Sequence, residues 1–235
     1  MSPSPPSLEE ARARGVDVDE RSVFIPADGA HLSGDLALPR SPRGLVVFAH
    51  GSGSSRHSPR NRFVARELQK GRLGTLLLDL LTPDEEAVDV RTAELRFDIG
   101  LLARRLVAAV EWARMEPATR DLRIGVFGAS TGGGAALVAA ALRPEAITAV
   151  VSRGGRPDLA GDALPAVRTP TLLIVGGDDE PVIELNRQAM DRMRTEVELE
   201  VVPGATHLFE EPGTLEEVAR LARDLFVQRL GVRSF

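Results

Sequence analysis

The sequence has no cysteine, no tyrosine and a single lysine, Lys70, among 29 basic side chains. The missing cysteine excludes a thiol nucleophile, a disulfide framework, cysteine-ligated zinc and iron–sulfur clusters. A P-loop would have to end at Lys70, and no G-x-x-x-x-G-K precedes that residue, so Walker-type nucleotide chemistry is not expected. A lysine Schiff base would rest on the same side chain. No apolar run approaches the roughly 18 residues that span a bilayer. The first fifteen residues are rich in Pro and Ser and then charged, without the apolar core of a secretory leader. A cytoplasmic location without a membrane partner is therefore expected. The 34 acidic residues outnumber the basic ones for a net charge of −5, so bulk charge does not draw the chain to nucleic acid.

What is present suits one α/β domain. The length of 235 residues is enough to bury a large core. Ser22 to Ile25 and His31 to Leu38 flank a turn centred on Asp28-Gly29, which predicts a β-hairpin. Apolar runs follow at Leu45 to Ala49, Leu73 to Leu78, Arg123 to Phe127, Ile147 to Val151 and Thr171 to Val175. Leu199 to Val202 predicts a last strand. Strands apolar on both faces that alternate with helices imply a parallel sheet covered on both sides. The intervening helices are predicted at Asn61 to Gln69, Glu94 to Met115, Thr131 to Leu142, Val182 to Met193 and Leu215 to Leu230. Thr82 to Arg91 is acidic and weakly patterned, and reads as a loop or mobile flap.

Gly128-Ala129-Ser130-Thr131-Gly132 fits G-x-S-x-G. The string follows a buried strand and opens a helix of small residues, the strand–turn–helix setting of a nucleophile elbow. Such a turn lifts a serine Oγ above the sheet and needs small neighbours so that strand and helix approach closely. The base must follow the elbow in the chain. Of the four histidines His31, His50, His57 and His207, only His207 does so. The acid should lie between them, at the end of the run Thr171 to Val175. Asp178 and Asp179 both stand there, and the Pro-Val pair that begins two residues after Asp179 favours Asp179. Asp178 would serve the turn or cap the next helix.

Two backbone N–H groups should complete an oxyanion hole. One is that of Thr131, next to the nucleophile. The other belongs to His50-Gly51-Ser52-Gly53, with Ser52 the favoured donor and Gly51 or Gly53 the alternatives. Arg56, His57 and Arg60 would overhang the site and could draw an acidic substrate group.

These motifs, in this order, resemble the α/β-hydrolase superfamily and its dienelactone-hydrolase-like branch, from about Ser22 to Leu230. The resemblance implies a mostly parallel sheet of about eight strands with the N-terminal antiparallel hairpin and helices on both faces. It also implies hydrolysis through an acyl-enzyme, without cofactor or metal. Residues 1–20 would be a tail and 21–235 a single α/β-hydrolase domain. Ser152 to Pro170 is too short for a separate lid, although Arg153 to Asp158 would edge the pocket, and a shallow site for short acyl chains is expected. Dienelactone hydrolases proper carry cysteine at the elbow, whereas this chain carries serine, which favours small carboxylic esters as substrates. A lactonase, thioesterase or peptidase on the same triad, and a non-catalytic binding protein on this fold, remain as alternatives. The sequence carries no signal of oligomeric state.

Overall fold

Each apolar run read as a strand is a strand in the computed structural model, which describes residues 17–231. The expected tail lies outside the described residues as far as residue 16, and its last residues already belong to the first strand. That strand, β1 (Val18–Ala27), pairs with β2 (Ala30–Pro39) in antiparallel register. Asp28 and Gly29 join them with positive φ, 49° and 78°, the backbone that a two-residue hairpin turn requires.

The other strands are β3 (Leu45–Ala49), β4 (Gly74–Leu78), β5 (Ile124–Ala129), β6 (Ala149–Arg153), β7 (Thr171–Gly176) and β8 (Val197–Val202). They form one eight-stranded sheet in the order β1-β2-β4-β3-β5-β6-β7-β8. β2 meets β4 antiparallel, and every pairing from β4 to β8 is parallel. The strand expected at Ile147 to Val151 runs two residues further along, because its pairing with β5 continues to Ala129↔Arg153. That extension carries an arginine to the end of the sheet beside the elbow.

Helices cover both faces, as the unbroken apolar runs demand. Val46, Phe48, Phe127 and Val151 point towards α1 (Pro59–Lys70) and α6 (Thr214–Leu230), where Phe226 and Leu230 are fully buried. Leu45, Val47, Val126 and Val150 point the other way, into a core shared with α3 (Ile99–Met115), α4 (Thr131–Leu142) and α5 (Glu180–Arg192). Among the described residues no helix is long and apolar enough to cross a membrane.

The segment read as a loop or flap is a helix, α2 (Pro83–Thr92). Thr82 and Glu85 form a reciprocal capping box, and Pro83 occupies the first turn. Glu85 also receives two hydrogen bonds, 2.5 and 2.6 Å, from the buried Arg105 on α3. Asp89 is fully buried and accepts from the N–H groups of Leu95 and Arg96 and from Arg96 Nε. These ionic ties, rather than an apolar stripe, hold the segment down. They also divide the helix expected from Glu94: Leu95–Phe97 form a 3₁₀ turn, and Asp98 then caps α3 by accepting from Leu101 N–H at 2.8 Å.

Candidate active site

Ser130 stands between β5 and α4 with φ 51° and ψ −120°. This backbone region is rarely populated by residues other than glycine, and costs about 1–3 kcal/mol. Close approach on both sides holds it there. A Cβ at Gly128 would lie 2.4 Å from Gly132 O, and one at Gly132 would lie 2.3 Å from Ala49 O. Only glycine lets helix and strands meet at these distances. The Ser130 N–H donates to Arg153 O, and Ser130 O accepts from the N–H groups of Gly133 and Arg156.

His207 lies in the loop between β8 and α6. Phe209 anchors that loop, its ring fully buried although its own φ is 55°. The imidazole is placed between two groups on other elements. Its Nδ1 lies 2.7 Å from Asp179 Oδ2, and its Nε2 lies 3.4 Å from Ser130 Oγ. Asp179 occupies the N-cap position of α5, but its side chain makes no capping bond and turns to His207 instead. Asp178 therefore does not cap the helix. Its N–H donates to Ala205 O, which ties the β7 turn to the histidine loop.

His50, at the end of β3, has a part that the sequence reading did not assign. It is 8 % exposed, and both ring nitrogens are engaged. Nδ1–H donates to Gly51 O at 2.9 Å, and Nε2 accepts from Leu80 N–H at 3.0 Å. Two fixed partners of opposite kind define one neutral tautomer, and burial lowers the pKa below its usual value. The ring thereby holds the first peptide of the loop that carries Ser52. The only advance signal was a histidine at a strand end followed by glycine. Thr131 is the first residue of α4, so its N–H has no partner within the helix. Ser52 lines the same cavity as Ser130.

The three residues expected to overhang the site are separated. Arg60 lines the cavity that contains Ser130, His207 and Ser52, a space of about 240 Å³. His57 lines a neighbouring cavity of about 490 Å³ together with Asp79, Thr82 and Glu86, and its Nδ1 accepts from Arg62 at 2.8 Å. Arg56 turns away: its guanidinium pairs with Asp79 and lies 3.6 Å from Asp35. Of the stretch Arg153 to Asp158, expected to edge the pocket, Arg153 at the end of β6 lines this cavity. Among the described residues no cluster of three or more His, Cys, Asp or Glu could hold a metal ion.

Comparison with known proteins places this geometry. The structure superposes on a dienelactone hydrolase from Anabaena variabilis with a TM-score of 0.89 at 58 % identity, covering 91 % of this chain and 99 % of that one. Est1E from Butyrivibrio proteoclasticus shares the fold, with a TM-score of 0.74 at 18 % identity over 88 % of this chain and 98 % of its own. Two Mycobacterium tuberculosis proteins that bear the name phosphoribosyl transferase are 56 % identical over 211 residues. That match covers 90 % of this chain and 47 % of theirs, so the chain spans about half the length of these curated relatives. Residues 82–228, from the cap of α2 through most of α6, match the Dienelactone hydrolase family. An eight-stranded sheet with a serine-bearing elbow, and that match across more than half the chain, show that this chain belongs to the dienelactone hydrolase family.

Proposed function

We propose that this protein is a serine hydrolase that cleaves small carboxylic esters through an acyl-enzyme on Ser130. The observation that carries the reading is the continuous link from Asp179 through His207 to Ser130, at 2.7 and 3.4 Å, ending on a strained elbow. In the first half-reaction Ser130 Oγ attacks the ester carbonyl while His207 Nε2 takes its proton. Asp179 holds the Nδ1–H tautomer and stabilises the imidazolium that forms. The N–H groups of Thr131 and Ser52 face the developing oxyanion, and the positive end of α4 adds to their field. The carbonyl re-forms as the alcohol leaves with the proton from His207. Water then attacks the acyl-enzyme by the same route in reverse, releasing the acid and restoring Ser130.

Esterases and dienelactone hydrolases among the solved structures of this fold support an ester as the substrate. The phosphoribosyl transferase name belongs to chains about twice as long. This chain matches about half of their length, and we read that half as their hydrolase part.

The experiment is labelling with a fluorophosphonate followed by peptide mass spectrometry, with p-nitrophenyl acetate turnover measured alongside. An adduct on Ser130, lost together with turnover in Ser130→Ala, is the expected result. A Ser130→Ala protein that hydrolyses the ester at the wild-type rate would overturn the assignment.

A further inference from the structure

The first turn of α1 carries a polar residue where the helix calls for an apolar one. Asn61, Val64, Ala65 and Leu68 make up its buried face, at the i, i+3, i+4, i+7 spacing of a core stripe. Val64, Ala65 and Leu68 belong to the hydrophobic core beneath the helix. Asn61 is only 2 % exposed, yet it bears a carboxamide. Its backbone N–H is used in the helix cap, donating to Ser58 Oγ at 3.3 Å. Its side-chain Oδ1 has no hydrogen-bond partner. A buried acceptor left open costs free energy that an apolar side chain of similar shape would not. Packing alone therefore gives no reason for asparagine here.

Asn61 also lines the cavity that contains Ser130, His207 and Ser52. The other buried, unpartnered side-chain atoms of that lining are Arg60 Nε and Arg153 Nε, and both are donors. Ser58, whose Oγ already accepts from Asn61, keeps its own O–H to donate. His207 Nε2 faces Ser130 Oγ. An open acceptor and several open donors thus share one lining. A group that completes it must give a proton to Asn61 and accept one from its neighbours. A hydroxyl does both. An amide N–H only donates, and an ammonium would meet two guanidinium charges as well.

We propose that Asn61 is a specificity-determining residue, which accepts a hydrogen bond from a neutral hydroxyl group that the ester substrate carries close to its reacting carbonyl. A site built to bond a substrate hydroxyl rejects the analogue that lacks it, because the buried acceptor then stays unpaired. The place of the hydroxyl beside the carbonyl rests on Ser130 as nucleophile, but its recognition by Asn61 does not.

The test compares kcat/KM for methyl 3-hydroxybutyrate with that for methyl butyrate, and for glycerol 1-acetate with that for propyl acetate. Each value is divided by the rate of hydroxide-catalysed hydrolysis, which removes differences in intrinsic reactivity. The hydroxylated member of one pair should be preferred by about tenfold or more, and the preferred pair tells the acyl side from the alcohol side. Asn61→Leu, which suits the core stripe, should collapse that ratio. Asn61→Asp, which keeps an oxygen acceptor in the same place, should retain it. No preference in either pair overturns the proposal. So does a preference that survives in Asn61→Leu, or one that Asn61→Asp loses as completely as Asn61→Leu does. Saturation-transfer NMR with the same esters on Ser130→Ala reads recognition without turnover. Stronger binding of a hydroxylated ester there, lost in Ser130→Ala/Asn61→Leu, supports the role of Asn61 even if another residue proves to be the nucleophile. Equal binding within both pairs counts against it even if Ser130 is labelled.

Discussion

Asp179 Oδ2 lies 2.7 Å from His207 Nδ1, although Asp179 is the N-cap residue of α5 and could have turned to the helix instead. The neighbouring Asp178 takes no part in this contact. Asp179→Asn should lower kcat by about 10⁴-fold, because an amide stabilises neither the tautomer nor the imidazolium. Asp178→Asn should leave kcat within about twofold, as for other surface changes. Steady-state kinetics of the two variants on one ester decide the matter, and the reverse ranking would exchange their roles.

On the proposed mechanism His50 acts as a positioning residue. His50→Ala frees the Gly51 carbonyl and the Leu80 N–H and loosens the peptide that leads to Ser52. kcat should fall by about 10²-fold, the loss expected for one misplaced oxyanion donor, with KM little changed. A variant that raises KM and spares kcat would instead place His50 in substrate binding.

The elbow stores strain that can be released. Ser130→Gly permits φ 51° and ψ −120° without penalty. It should return about 1–3 kcal/mol of strain, against about 1 kcal/mol for the added freedom of the unfolded chain. Urea unfolding should therefore find this inactive variant as stable as the wild type or more so. A clear loss of stability would show that the backbone at Ser130 is not strained.

Glu85 and His50 are two of the groups that make stability respond to acid. The hydrogen bonds from Arg105 hold the Glu85 carboxyl at about 2, below its ordinary 4.5. Its stabilising effect is complete above pH 4.5 and is lost as pH falls towards 2. Burial lowers the His50 pKa below its ordinary 6.5, so its effect is complete above that pH and declines below it. Urea midpoints measured against pH should show Glu85→Gln removing part of the slope below 4.5. An unchanged slope would mean that the pair contributes nothing to acid sensitivity.

The short connection between β6 and β7 bears on chain length. It holds a 3₁₀ segment, Pro157–Ala166, and no helical lid, and the cavity at Ser130 measures about 240 Å³. Across p-nitrophenyl esters kcat/KM should fall about tenfold or more from butyrate to dodecanoate, as methylenes beyond the cavity gain no burial. Equal activity on both would contradict a short acyl site.

Much of this architecture was legible in residue order because it depends on local pattern. Buried parallel strands must be apolar throughout, so Leu45 to Ala49 and Thr171 to Val175 could be read directly. Gly128 and Gly132 flank Ser130 at the spacing that close packing requires. α2 escaped notice because ionic contacts hold it. Asp89 reads as a solvated charge until Arg96 and two backbone N–H groups are seen around it. Arg153 was expected at the pocket's edge, but not its burial, because its surroundings come from α1, β5 and the His207 loop, which no window of sequence brings together. Arg56 was grouped with Arg60 by proximity in the chain, but Asp79 on the next strand connection claims it.

The elbow also separates position from chemistry. Gly128, Gly132 and the backbone bonds to Arg153 and Gly133 place the residue between β5 and α4, and none of these contacts involves its side chain. The fold thus offers a socket that is indifferent to the atom it presents. An exchange of oxygen for sulfur at Ser130 would leave the scaffold unaltered. A lineage on this frame can therefore change its nucleophile in a single step, without rebuilding the protein around it.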